Sequence, residues 1–461
     1  MLSNSRGDLF EKNAVYKDSL NKLTEKAKRN NIISSECYKR YDVKRGLRNE
    51  NGTGVLVGLT EVGNVHGYTI ENRKKIPDEG MLTYRGIDVR EIVNGFQKDK
   101  RFGFEEVCYL LLLGEFPSEE ELKEFKIMLG ECRELPDGFT EDMILKFPSN
   151  NIMNKLERSI LVAYSFDDNP DDTSIKNILR QSIELISRVP VMIAYGYQAK
   201  AHYYDGKSLF IHSPKAELGV AENILHLIRP DNQYTKTEAE VLDLSLVLHA
   251  EHGGGNNSAF ATHVVSSTGT DTYSAIAAAV GSLKGPKHGG ANIKVINMMS
   301  NIKENINDWQ DVEEIKKYLI RILKKEVFDK AGLIYGIGHA IYTLSDPRAV
   351  MLKEKALELA KEKGRVDEFL LYENVEKTAL KIFKELRGRE DICVNVDFYS
   401  GFVYDMLNIP CELYTPLFAA ARMAGWCAHR IEQVASEPKI IRPAYKNVKE
   451  KCQYIPIRER N

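Results

Sequence analysis

Residues 346–364 read DPRAVMLKEKALELAKEKG and describe one helix from cap to stop. Asp346 can accept the unpaired N–H groups of a first turn, and Pro347 suits the first helical position, where its missing N–H has no partner in any case. Leu352, Ala356 and Leu359 fall on one face, and Gly364 stands where a helix ends. The same pattern recurs along the chain. Val312, Ile315, Leu319, Ile322 and Leu323 form another apolar stripe, and Ser118 with Glu121 makes a capping box ahead of Leu122, Phe125 and Leu129. Apolar residues recur at three and four far more often than they alternate, so the expected class is all-α, with sheet nearly absent.

The 461 residues carry 64 Lys plus Arg against 66 Asp plus Glu, a net charge of −2 that offers no bulk attraction to nucleic acid or an anionic membrane. With 43% hydrophobic and 28% charged residues, the composition is globular and sufficient for two or three packed units. The longest apolar run, Val107 to Leu113, falls short of the roughly 20 residues a membrane helix needs. The opening MLSNSRGDLFEKN lacks an apolar core, and Asp8 and Glu11 argue against an acid-poor transit peptide, so a cytoplasmic location is expected. Seven cysteines between Cys37 and Cys452, without a C-x-x-C, read as reduced thiols. Residues 1–45 are rich in Lys and Asn, with one weak helical stretch near Leu20 to Ala27, and read as an N-terminal arm.

Histidine is unevenly placed: His249, His252, His263, His288 and His339 fall within about ninety residues, three of them beside glycine clusters. Glycine lets backbone approach a ligand closely. His249 and His252 are three apart and can share a helix face, but no H-E-x-x-H and no carboxylate cluster at ligand spacing accompanies them, so no metal is expected. His288 follows a Gly-Pro turn and precedes ANIKVINMM, whose spacing fits a helix starting near Gly290. A helix N-terminus disfavours imidazolium, which suits His288 to act as a neutral donor to a developing oxyanion. Arg348, at the start of the helix behind Pro347, can grip a carboxylate. In ICVNVDFYSGF, Ile392, Val394, Val396 and Phe398 alternate with polar residues, an extended piece that would hold Asp397 in apolar surroundings and raise its pKa towards that of a useful base.

Several segments together resemble the citrate synthase family: HAEHGGGNNSAFATHVVSSTGTDTYSAIAAAVGSLKGPKHGGAN, GIGHAIYTLSDPR, VNVDFYSG and AAARMAGWCAHRIEQVASEPKIIRP, with LTYRGIDVREI and FEEVCYLLLLGEFPSEEEL upstream. The resemblance runs from about Met81 to Pro443. It implies a large helical domain, 46–290 plus 400–461, interrupted by a smaller one at 291–399, with the active site in the cleft of a homodimer. It implies condensation of acetyl-CoA with oxaloacetate, without a cofactor. By the same resemblance His288, His339 and Asp397 are catalytic, and His252, Arg348 and Arg422 bind oxaloacetate together with Arg442 of the partner subunit. Gly336 and Gly338 would face coenzyme A. Where many relatives place a basic residue after the second histidine, this chain has Thr343 and Leu344, so the phosphate contacts are assigned to Lys287 and Lys294.

The closest rival reading is 2-methylcitrate synthase, which uses the same residues with propionyl-CoA. One methylene in an apolar pocket is worth only about 1–3 kcal/mol. More remote are a metal-dependent hydrolase built on the histidine cluster and a helical scaffold without catalytic activity. G-I-G-H-A-I lacks a third glycine and follows no strand, so it is no dinucleotide fingerprint.

Overall fold

The computed structural model describes residues 14–72, 74–436 and 439–460, and among these 17 α-helices accompany one small sheet. The first thirteen residues of the expected arm lie outside the described residues. Two compact units are present: residues up to Val57 together with Arg442 onward, and Gly58–Ile441. In the first, α1 (Ala14–Asn30) extends the expected stretch at Leu20 to Ala27, and α2 (Ser35–Arg40) is capped by Ser34. Lys446 lies over the Tyr41 ring, 5.9 Å from its centroid, so the C-terminal tail packs on the N-terminal segment.

The second unit opens with an antiparallel sheet, β1 (Gly63–Glu71), β2 (Lys74–Tyr84) and β3 (Ile87–Asp88), in that order. Sequence periodicity misses it because the pattern is interrupted: Gly67, Pro77 and Gly80 break the apolar alternation, and the register shifts between His66 and Tyr68.

Helices then follow almost without a break. They are α3 (Val89–Lys98), α4 (Phe104–Leu113), α5 (Glu119–Glu131), α6 (Ile152–Ala163), α7 (Ile175–Asp205), α8 (Val220–Ile228), α9 (Lys236–His249), α10 (Asn257–Ser266) and α11 (Thr272–Lys284). The Ser118–Glu121 capping box starts α5 as the sequence indicates. After it come α12 (Ala291–Asn305), α13 (Val312–Leu323), α14 (Pro347–Glu362), α15 (Val366–Arg387), α16 (Val396–Met406) and α17 (Tyr414–Ser436).

The helix α17 is buried along most of its length and packs on α4, α7, α9, α10 and α11, which makes it the central post of the unit. On α13 the buried face is Ile315, Tyr318, Leu319 and Ile322; Val312 is exposed, because it is the first residue of the helix. α14 packs on α15 and α16 and also on α9. No helix among the described residues is long and apolar enough to cross a membrane.

The hairpin β1–β2 docks on the loop that joins His339 to α14. Thr343 Oγ1 accepts from Asp78 N–H at 3.1 Å and bonds the Gly67 carbonyl, and Ser345 Oγ accepts from Gly80 N–H at 3.2 Å. The contact needs glycine: a Cβ on Gly80 would lie 2.0 Å from the Ser345 carbonyl oxygen.

Candidate active site

Two helix starts supply opposite charges. At the head of α14, Asp346 caps as expected, accepting Arg348 N–H at 3.0 Å. Its carboxylate also takes the Arg348 guanidinium, Nε at 3.0 Å and Nη2 at 2.8 Å, and accepts Val396 N–H at 3.1 Å. Both side chains are buried. Burial pulls the arginine pKa down, but Asp346 outweighs it and holds Arg348 firmly protonated.

At the head of α16 the expected extended piece stops early. Val394 forms a single bridge with Ile337, and then Asn395 accepts Asp397 N–H at 3.0 Å and starts a helix. Asp397, Val396 and Phe398 are therefore helical. The alternation seen in the sequence is a coincidence of bridge and first turn, decided by the cap. Asn395 also donates from Nδ2 to the Gly338 carbonyl at 2.9 Å, tying Asp397 to the loop that carries His339. Burial raises the Asp397 carboxyl to about 6; Arg348 opposes the shift and Asp346 adds to it.

In the loop before α14, His339 Nδ1 accepts N–H groups from Ile341 and Tyr342, both at 3.1 Å, so in the neutral ring the proton sits on Nε2. Tyr342 stacks on His339 with centroids 4.6 Å apart, and His252 meets His339 edge-on at 5.2 Å. Arg348 lies 5.5 Å from the Tyr342 centroid. His252 follows α9 rather than lying on it, so it shares no helix face with His249. Burial drives the His252 pKa well down, with Arg348 assisting, and its Nε2 is buried without a hydrogen-bond partner.

Arg422, on α17, donates from Nε to the His249 carbonyl at 2.6 Å, while Nη1 and Nη2 are buried and unpaired. Burial brings its pKa down to about 10. His288 lies in the turn before α12, which starts at Ala291 as expected. Burial, then the charge of Arg422, lowers His288 to about 4, so the ring is neutral for a reason other than the helix terminus alone. Its Nε2 is 3.4 Å from Ser258 Oγ, which accepts from Trp426 Nε1 at 3.1 Å and donates to Asn256 at 2.8 Å.

His252, His288, His339, Arg348, Asp397 and Arg422 thus form one electrostatically linked cluster. Gly336 and Gly338, both at positive φ (80° and 97°), shape the strip leading to His339. Beside it is a cavity of about 260 Å³ lined by Gly338, His339, Arg387, Arg389 and Asp391 among others. Lys287 and Lys294 are exposed and do not line it; Lys294 is 3.7 Å from Asp329. Thr343 is occupied with the hairpin. Arg442 begins the C-terminal segment of the other unit and is exposed. Asn395 and Ser258 escape a reading of the sequence because their parts are set by partners distant in the chain, Gly338 for one and His288 and Trp426 for the other; the cap position of Asn395 before a helix is the one signal that could reveal it.

The chain matches the family model described as "Citrate synthase, C-terminal domain" over residues 51–444. It is 34% identical over 413 residues to a citrate synthase of Synechocystis sp., covering 89% of this chain and 94% of that one. It is 32% identical over 427 residues to 2-methylcitrate synthase 1 of Corynebacterium glutamicum, covering 91% and 98%. Among solved structures, citrate synthase from Thermoplasma acidophilum in a ternary complex with carboxymethyl coenzyme A and oxaloacetate superposes with a TM-score of 0.72 at 26% identity, over 91% of this chain and 99% of that chain.

Proposed function

We propose that this chain, which belongs to the citrate synthase family, condenses acetyl-CoA with oxaloacetate and hydrolyses the resulting thioester to citrate and coenzyme A. The observation that carries the reading is the pair of buried, unpaired Nη atoms of Arg422 beside the equally unpaired Nε2 of His252. Buried cationic donors without acceptors are costly, and a small dicarboxylate supplies acceptors in the bidentate geometry guanidinium favours. Arg348 provides a second cation and, in the homodimer we infer, the partner subunit's Arg442 a third.

Asp397 takes a proton from the methyl carbon of the thioester while His288 hydrogen-bonds the thioester oxygen, leaving an enolate. Its carbon attacks the ketone of oxaloacetate; the C–C bond forms, and the ketone oxygen takes its proton from Nε2 of His339. Water then adds to the thioester carbonyl, the C–S bond breaks, and coenzyme A leaves as the thiol. A mismatch on the order of ten pKa units between carbon acid and carboxylate amounts to roughly 14 kcal/mol. Raising Asp397 from 3.8 to about 6 removes about 3 kcal/mol of it. The remainder falls to oxyanion stabilisation and to exclusion of water by closure of a small domain, 291–399, over the large one.

For the phosphates of coenzyme A, we assign Arg387 and Arg389 rather than Lys287 and Lys294, because both arginines line the cavity that opens on His339. Transfer of the acyl group in this way is the chemistry of an acyltransferase, and we infer a cytoplasmic enzyme. A second reading, 2-methylcitrate synthesis from propionyl-CoA, draws support from relatives of that name at comparable identity. Thiol release from an acyl-CoA panel with oxaloacetate tests both: preference for acetyl-CoA supports the first, preference for propionyl-CoA replaces it with the second, and no release from either refutes both.

A further inference from the structure

Next to this cluster lies a second buried charge system that the reaction does not use. The Glu251 side chain is fully buried in space left by two glycines: a Cβ on Gly63 would lie 2.7 Å from its Cγ, and one on Gly425 would lie 2.3 Å from its Oε2. Its Oε1 accepts from Gly253 N–H and from Nε2 of His429 at 2.9 Å. A carboxylate taken out of water needs a cation or several hydrogen bonds, and His429 is the cation placed against it. His429 Nδ1 faces Nε2 of His263 at 3.1 Å, and His263 donates from Nδ1 to Gln433 Oε1 at 2.8 Å. The chain has a direction: Glu251 accepts, His429 donates twice, His263 accepts and donates, Gln433 accepts.

Four groups face His429. Glu251 faces it from the loop after α9, Glu432 from its own helix with Oε2 3.8 Å from Nδ1, His263 from α10, and the Thr60 hydroxyl at 3.5 Å from the segment before β1. Burial disfavours the charge, but Glu251 and Glu432 outweigh it and raise His429 to about 9.

Position gives the pair its meaning. Arg422, Gly425 and His429 fall at i, i+3 and i+7 and so share one face of α17. Along that face Arg422 holds the carbonyl of His249 at 2.6 Å and His429 holds the side chain of Glu251. The Tyr84 hydroxyl donates to the Val247 carbonyl at 2.8 Å on the same segment. His252 is thus bracketed by Glu251 on one side and by Gly253, itself bonded to Glu251, on the other.

We propose that the Glu251–His429 ion pair is a positioning device for the dicarboxylate site, fixing the backbone on both sides of His252 so that this ring and Arg422 meet the substrate in one geometry. The proposal rests on the functional reading above. It links oxaloacetate affinity to alkaline pH. His429 has a folded pKa above its ordinary 6.5, so the pair contributes in full below 6.5 and is lost as pH rises through about 9.

The test measures KM for oxaloacetate, KM for the thioester, and kcat from pH 7 to 10 in the full-length protein. Wild-type turnover is recorded first, since its absence defeats the functional reading and not this one; oxaloacetate affinity is then followed by calorimetry over the same pH range. In the wild type, oxaloacetate affinity should fall above pH 9 while the thioester KM stays within about twofold. His429→Gln should weaken oxaloacetate roughly tenfold or more at pH 7.5, within the usual range of coupling between sites, and abolish the loss centred near pH 9, leaving only that of Arg422 near 10. The double variant Glu251→Gln/His429→Gln, which removes both charges, should recover to within about threefold of wild type.

A purely structural pair would lower the melting temperature of His429→Gln and leave oxaloacetate affinity flat, which would overturn the proposal. A flat wild-type pH profile would overturn it without any variant, as would stoichiometric zinc in the purified protein that is lost in His263→Ala.

Discussion

The starts of α14 and α16 are built on one plan and put to different ends. In each, a cap residue accepts the N–H two positions on at 3.0 Å, and the residue whose N–H is captured brings its side chain to the candidate site, Arg348 in one and Asp397 in the other. The caps differ by a charge. Asp346 is anionic, so it neutralises the arginine it positions and fixes the guanidinium plane through two more hydrogen bonds. Asn395 is neutral, so it positions a carboxylate without adding repulsion and spends its amide on the Gly338 carbonyl instead. At α14 the cap itself sets the proton affinity of the group that follows it, whereas at α16 burial does so and the cap fixes the backbone.

Removing the group itself is the harshest way to break the comparison. Asp397→Asn should reduce condensation by about 10³-fold, within the range for a general base, while calorimetry still detects oxaloacetate binding; near-normal turnover would mean that the base is elsewhere. The same variant should be more stable than wild type at pH 8. A carboxyl whose folded pKa is raised contributes stability below 3.8 and loses it as pH rises through about 6. Thermal melting at pH 8 and pH 5 should show the difference shrinking at the lower pH.

Next in size, Asp346→Asn leaves Arg348 buried without its counter-charge and should cost about 3 kcal/mol in urea unfolding. A loss below about 1 kcal/mol, the usual worth of an exposed ion pair, would mean that water reaches the site. The smallest and sharpest change gives α16 the anionic cap of α14. Asn395→Asp places a second negative charge beside Asp397 and should move the acid limb of kcat/KM, which reports the free enzyme, upward from about 6 by about one unit. No movement would show that the cap does not tune the base.

The same two helix starts mark how far the sequence can be read. Asp346, Pro347 and Gly364 are local signals, and the structure uses each as anticipated. The start of α16 misleads, because Val394, Val396 and Phe398 alternate as a strand does and only the capture of Asp397 N–H by Asn395 decides otherwise. The hairpin escapes because its strands depend on a distant loop and on glycines that weaken any local strand signal. Six site residues named from motif resemblance do gather around one cluster. Lys287 and Lys294 rest on no motif, and neither lines the cavity beside His339, which Arg387 and Arg389 do.

The docking of hairpin on loop also equips the molecule with its own reporters. Asp78 and Gly80 give their N–H groups to hydroxyls of Thr343 and Ser345, not to a neighbouring strand. Their protons can exchange with solvent deuterium only when those bonds part, so two amides remote from the chemistry keep time for every excursion of the loop that carries His339.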